Sequence, residues 1–164
     1  MDAKQLTTLV IRPWLKRLGL YSRSAEQLIV GTIYQESNGH FIQQVGGGPA
    51  LGLIQMEPAT YKDIWDNFLA YRRSLANKLT ELASMESLDE DMRPDVNQLV
   101  TNLAFAVAIC RVHYLRVKEA LPTAGDLDGL AKYWKDYYNT RLGAGTVDDF
   151  KKNFPMEILT MEEA

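Results

Sequence analysis

At 164 residues, 46% of them hydrophobic, the chain is long enough to bury one substantial core and too short for two ordinary domains. Its formal net charge of -3 argues against nucleic acid as the main partner, because phosphate binding needs a basic surface. The single Cys110 excludes an internal disulfide framework and every multi-cysteine metal motif, and it fits synthesis in a reducing compartment.

The first 20 residues read as a helix with Leu6, Leu9, Val10 and Trp14 as its inward candidates. Pro13 bends or restarts it and Gly19 ends it. Arg12, Pro13, Lys16 and Arg17 interrupt this stretch, so no apolar run of signal-peptide length is present. Nor does any segment have the length and apolarity of a membrane span.

Ser22 or Ser24 is placed to cap a second helix over 24–36, in which Ala25, Leu28, Ile29 and Ile33 recur at three- and four-residue steps. Glu36 falls on that same apolar face, three residues after Ile33. Partial desolvation and the negative end of the helix dipole would both raise its pKa, and a carboxyl group that stays protonated near neutral pH can serve as a general acid. Taken alone, a last-turn Glu more often swings out to solvent. The residues that follow change this reading.

Asn, four glycines and Pro49 mark a loop over 37–50, which leaves room for at most a small hairpin near 40–46. Pro58 suits the first turn of a helix reaching about Leu69, and another is expected over 70–83. The acidic stretch MESLDEDMRPD at 85–95 reads as a solvated connection. Residues 96–118 carry the strongest helical signal, a stripe of Val96, Leu99, Val100, Leu103, Val107, Cys110 and Tyr114, which predicts a buried central helix. Leu127, Leu130, Ala131, Trp134 and Tyr138 trace one more, and residues 155–164 read as a loosely held acidic tail on a single domain of residues 1–154.

Competing chemistries fall away on their motifs. GGGPALG lacks the Gly-Lys-Ser/Thr of a phosphate loop, and the chain has no HExxH, CxxC or GxSxG. His40 and His113 are too few for a histidine-rich metal site, and His113 reads as a structural or surface residue. Cys110, on the apolar stripe, reads as a small buried hydrophobe. Glu57 is explained as a helix-start acid, and Asp63 and Asp66 as solvent-facing, so only Glu36 has a strong claim among the carboxylates.

Glu-Ser at 36–37, a glycine-containing loop, and A-x-G-L-x-Q-x-x-P-x-T on Ala50, Gly52, Leu53, Gln55, Pro58 and Thr60 resemble the soluble lytic transglycosylases, peptidoglycan-cleaving enzymes related in fold to goose-type lysozyme. Tyr138-Asn139 followed by LGAGTVDDF looks like the family's Tyr-Asn-x-Gly stretch, and the 96–117 segment is similar to its long middle helix. The chain departs from the pattern at Met56-Glu57, where an apolar pair is more usual, and in the five residues between Asn139 and Gly145.

The resemblance implies a mainly α, lysozyme-like domain with at most a small hairpin, acting on peptidoglycan glycan strands without metal or cofactor. Glu36 would protonate the oxygen between N-acetylmuramic acid and N-acetylglucosamine, the substrate's acetamido group would stabilise C1, and the same carboxylate would draw the C6 hydroxyl onto C1 to close a 1,6-anhydro ring. Gln55 and the backbone at Gly52 and Leu53 would line the cleft, and Ser37 would help orient the acid. Tyr138 would hydrogen-bond the carboxyl or stack on a sugar, or else pack in the core; Asn139 would bind the acetamido group or cap a helix. Tyr61 and Tyr133 are weaker stacking candidates. A wall-cleaving chain without an export signal implies a bacteriophage product, released to the wall or packaged with other virion proteins. Two alternatives stay open: a hydrolytic muramidase, and a non-catalytic virion or wall-binding subunit.

Overall fold

Two buried helices share the centre of the computed structural model, which describes residues 1–163. The first, α3 (Arg23–Ser37), starts at the Ser22 hydroxyl, which accepts the Ala25 N–H at 3.0 Å, and ends at Asn38 in the left-handed region. Every residue from Ala25 to Ile33 is buried, because the helix is packed against the N-terminal π turn and three other helices. The second, α7 (Leu103–Leu115), buries Phe105 through Cys110 without interruption. The Thr32 and Tyr114 hydroxyls join the two at 2.7 Å, which satisfies both polar groups inside the core.

The central helix is shorter than its hydrophobic stripe predicts. Asn102 adopts an extended backbone, its side chain accepts the Phe105 N–H at 3.0 Å and donates to the Leu82 carbonyl at 2.8 Å, and the stripe is thereby divided into α6 (Gln98–Thr101) and α7. An asparagine that caps a helix satisfies otherwise orphaned backbone donors, and the apolar periodicity runs past such a break unchanged.

The N-terminal stretch contains a similar surprise. Between α1 (Ala3–Leu6) and α2 (Arg12–Leu18) lies a π turn over Thr7–Ile11, just ahead of Pro13, which has no N–H to offer the preceding turn. The wider turn carries the inward face from Leu6 to Ile11 and leaves Leu9, expected inside, 69% exposed. Gly19 ends α2, as expected.

Helices α4 (Pro58–Asn67) and α5 (Arg73–Leu82) follow the central loop, and α8 (Leu127–Trp134) runs into a second π turn at Lys135–Asn139. No strand forms among the described residues. In place of a hairpin at 40–46, isolated bridges pair Gln43 with Leu51, Leu51 with Met56, and Leu88 with Pro94. A capping box of Thr146 and Asp149 opens α9 (Val147–Asn153), whose Phe150 presses on α3 at Gly31; a Cβ there would stand 2.2 Å from the ring.

The C-terminal stretch is held, against the expectation of a loose tail. Helix α10 (Glu157–Thr160) buries Ile158, and Arg23 donates to the Ile158 carbonyl at 3.0 Å and to that of Met161. Both Arg12 and Arg23 are ion-paired with Glu26, a fully buried carboxylate on α3, at 2.6 and 2.8 Å. The acidic side chains of Glu157, Glu162 and Glu163 remain at the surface while the backbone is docked. Ala164 lies outside the described residues. Among the described residues no helix is long and apolar enough to cross a membrane.

Candidate active site

A cleft of about 840 Å³ opens where the central loop, the start of α4, the end of α7 and the second π turn meet. Glu36 lines it from the last turn of α3. Burial is the main cause that pushes its pKa up to about 7, and the Trp134 indole, donating Nε1–H to Oε1 at 2.9 Å, offsets part of that rise by stabilising the anion. The charge is felt by Cys110, Tyr114 and Tyr138, whose own groups are pushed up chiefly by burial and further by Glu36.

The indole is fixed on both sides. Trp134 is 0% exposed and its ring lies 5.4 Å from Phe150 at a tilt of 32°. On another side stands Gly145, where a Cβ would approach the ring to 2.7 Å. The glycine pair of the 143–145 stretch thus has one member that makes room for the residue holding the acid.

Of the expected site residues, Gln55, Tyr138 and Asn139 line the cleft with Glu36, whereas Ser37, Gly52 and Leu53 do not. Ser37 is buried and donates to the Ile33 and Leu53 carbonyls at 3.0 and 2.7 Å, so it ties the central loop to α3 and makes no bond to the acid. Gly52 has φ +71 and lies so close to the α6 backbone that a Cβ would stand 2.2 Å from the Leu99 carbonyl oxygen. Only glycine meets both demands. Gly52 also donates its N–H to the Ile42 carbonyl at 2.8 Å, and Leu51 and Met56 exchange backbone bonds of 3.0 and 3.1 Å around the same turn. The loop motif therefore works mostly behind the surface, presenting Gln55 and Met56 to the cleft.

Tyr138 does not bond the carboxyl: its hydroxyl donates to the Ile54 carbonyl at 2.6 Å, and its ring packs on Tyr114 and His113. Asn139 accepts from the Lys135 ammonium at 2.7 Å, and the same ammonium donates to the Gly143 carbonyl at 2.8 Å, which fixes the lip formed by Asn139, Thr140 and Gly143. Tyr61 and Tyr133 are buried core residues and lie outside the cleft lining.

The cleft also takes in His113, expected to be structural or at the surface, Asp63, expected to face solvent, and Arg116, for which the sequence suggests no role. His113, on the last turn of α7, bonds the Tyr137 carbonyl through Nε2 at 3.0 Å and accepts from Arg116 through Nδ1 at 2.9 Å; burial and the neighbouring guanidinium push it down to about 4, so it is neutral at pH 7. Arg116 also pairs with Asp63 at 2.6 Å, and hydrogen bonds from Asn67 and Arg116 hold the Asp63 carboxyl below its usual range. Glu57 is exposed on the rim. Trp134 carries a partial signal, since a buried indole N–H usually finds an acceptor, but nothing in the sequence names Glu36 as that acceptor. The three-residue spacing sets His113 beside Arg116 on the expected helix, whereas nothing in the sequence marks Asp63 as their neighbour.

Among the described residues no three His, Cys, Asp or Glu side chains come together as a metal site. Compared with protein-family models, with curated proteins and with solved structures, the chain matches none.

Proposed function

We propose that the chain is a peptidoglycan lytic transglycosylase on a helical, goose-type lysozyme-like fold, with Glu36 as acid and then base. The observation that carries the proposal is a carboxyl group at the wall of an open cleft whose midpoint lies near 7. A group that must give a proton and take one back in the same turnover works best with a pKa near the working pH. Protonated, Glu36 donates to the bridging oxygen between N-acetylmuramic acid and N-acetylglucosamine as the C1–O bond breaks. The substrate's own acetamido oxygen supports C1 in place of a second carboxylate. The ionised Glu36, steadied by the Trp134 N–H, then removes the C6 hydroxyl proton as that oxygen closes on C1, which restores the acid and yields a 1,6-anhydro end.

The cleft's other carboxyl groups suit this division of labour. Asp63 is ion-paired and hydrogen-bonded, and Glu57 is exposed on the rim. A glycosidase with two working carboxylates keeps one as an acid and the other poised opposite it. The presence of Glu57 and Asp63 on the cleft is what favours the second reading, a hydrolytic muramidase in which one of them activates water. Delivery to the wall as a bacteriophage product belongs to the same proposal, as does association with other virion proteins.

Release of soluble muropeptides from purified cell walls tests the assignment. Wild type is expected to release them and Glu36→Gln to release none. An unchanged rate in the variant removes Glu36 from the chemistry, and wall binding without release by wild type points to a non-catalytic subunit.

A further inference from the structure

Arg116 is the only cation among the described residues that line the cleft. His113, the other basic side chain there, is neutral, and Lys135 is turned to Asn139 and Gly143. A cleft for an uncharged sugar chain is read by hydroxyl and amide partners and by ring faces, and gains little from a guanidinium. A planar fork of N–H groups instead matches a carboxylate, which it can hold through two parallel bonds.

The surroundings hold this fork in place and leave part of it free. One terminal nitrogen donates to His113 Nδ1 and the other to Asp63 Oδ2, so each retains one N–H with no partner among the described residues. The Nε–H is buried and also lacks an acceptor. Because His113 is neutral, it orients the guanidinium without cancelling its charge. Among the described residues Asp63 is the only anion bonded to it, and with a side chain 51% exposed that ion pair is weak enough to yield to a competing carboxylate. The Arg116 side chain itself is 24% exposed and therefore reachable from the cleft.

We propose that Arg116 is a specificity-determining residue that binds a carboxylate on the acyl or peptide substituent of the glycan strand, in exchange for part of its contact with Asp63. The inference rests on the reading of the cleft as a glycan site. It makes the chain selective for carboxylate-bearing strands over neutral polymers of N-acetylglucosamine.

Calorimetric binding in the Glu36→Gln background, which prevents turnover, separates the possibilities with three probes of equal sugar length. These are a glycan carrying its stem peptides, the same glycan stripped to its lactyl carboxylates, and a chitooligosaccharide. At least one carboxylated probe should bind about tenfold or more tightly than the chitooligosaccharide, as expected for a charge-assisted fork. Adding Arg116→Met should bring that ratio close to one, and Arg116→Lys, which keeps the charge and loses the fork, should give an intermediate ratio. Tight binding of the stripped glycan assigns the lactyl group, and tight binding of the peptide-bearing glycan alone assigns the stem carboxylates. If Arg116→Met weakens all three probes equally, or none, the proposal is wrong while the glycan reading stands. If no glycan binds at all, both are wrong.

Discussion

The Trp134 indole donates its Nε1–H to Oε1 of Glu36 at 2.9 Å from a position that is fully buried. A neutral donor aimed at a carboxyl oxygen stabilises the anion, and it leaves Oε2 as the oxygen free to carry the acidic proton. Trp134→Phe keeps an aromatic ring at the position and removes the donor. A charge-assisted bond is worth about 1.5–3 kcal/mol, so the Glu36 midpoint should rise by roughly one to two pH units above its starting value. Carbon-13 NMR of the Glu36 carboxyl reads this directly; a midpoint that stays in place or falls would show that the indole does not set it.

Activity should follow the protonated fraction of Glu36. With a midpoint pushed up to about 7, kcat/KM is expected to fall tenfold for each pH unit well above that value. A rate that holds level from pH 6 to pH 9 would exclude Glu36 as the acid.

The same burial costs stability. Between its ordinary value of 4.5 and about 7, folded Glu36 holds a proton that the unfolded chain has released, so stability declines as pH rises through that window and the cost is complete above it. At about 1.4 kcal/mol per pH unit the full cost is roughly 3 kcal/mol. Glu36→Gln should therefore be more stable than wild type at pH 8 by up to about 3 kcal/mol, and the two should converge near pH 4. Urea denaturation at both pH values measures it, and equal stabilities at pH 8 would count against a desolvated acid.

Part of the cleft lining is legible in the sequence, and the rest is hidden for physical reasons. Glu36 could be placed because helical periodicity fixes which face a residue occupies. Gln55 and Asn139 also reached the cleft. Ser37, Gly52 and Leu53 belong to the same motif yet support the loop from behind, since a motif records which residues a turn requires and not which of them meets solvent. The divided central helix and the phase shift at Leu9 arise from a cap at Asn102 and a π turn before Pro13, local events that leave apolar spacing almost untouched. His113 and Arg116 are neighbours by their three-residue spacing, but Asp63 joins them only when α4 packs against the end of α7, a relationship that no local pattern encodes.

Gly52→Ala should be among the most damaging small substitutions in the chain. It forces a side chain into a positive φ and sets its Cβ 2.2 Å from a backbone carbonyl that cannot rotate away. A loss of more than about 2 kcal/mol is expected in thermal or chemical denaturation. A variant of wild-type stability would mean that the α6 contact is looser than described.

Glu26→Ala should unfold the C-terminal docking by stranding Arg12 and Arg23. Removing one partner from a buried ion pair costs about 3–5 kcal/mol, and hydrogen exchange at Ile158 and its neighbours should accelerate with it. Unchanged exchange there would detach the ion cluster from the C-terminal helix.

Mass spectrometry of peptidoglycan digested by the wild-type protein addresses the double duty of Glu36 most directly. Products ending in 1,6-anhydro-N-acetylmuramic acid are predicted, since a lone carboxyl acting as acid and then base delivers the C6 oxygen to C1. Products ending in reducing N-acetylmuramic acid would contradict it and place a water, activated by a second carboxylate, at the reacting carbon.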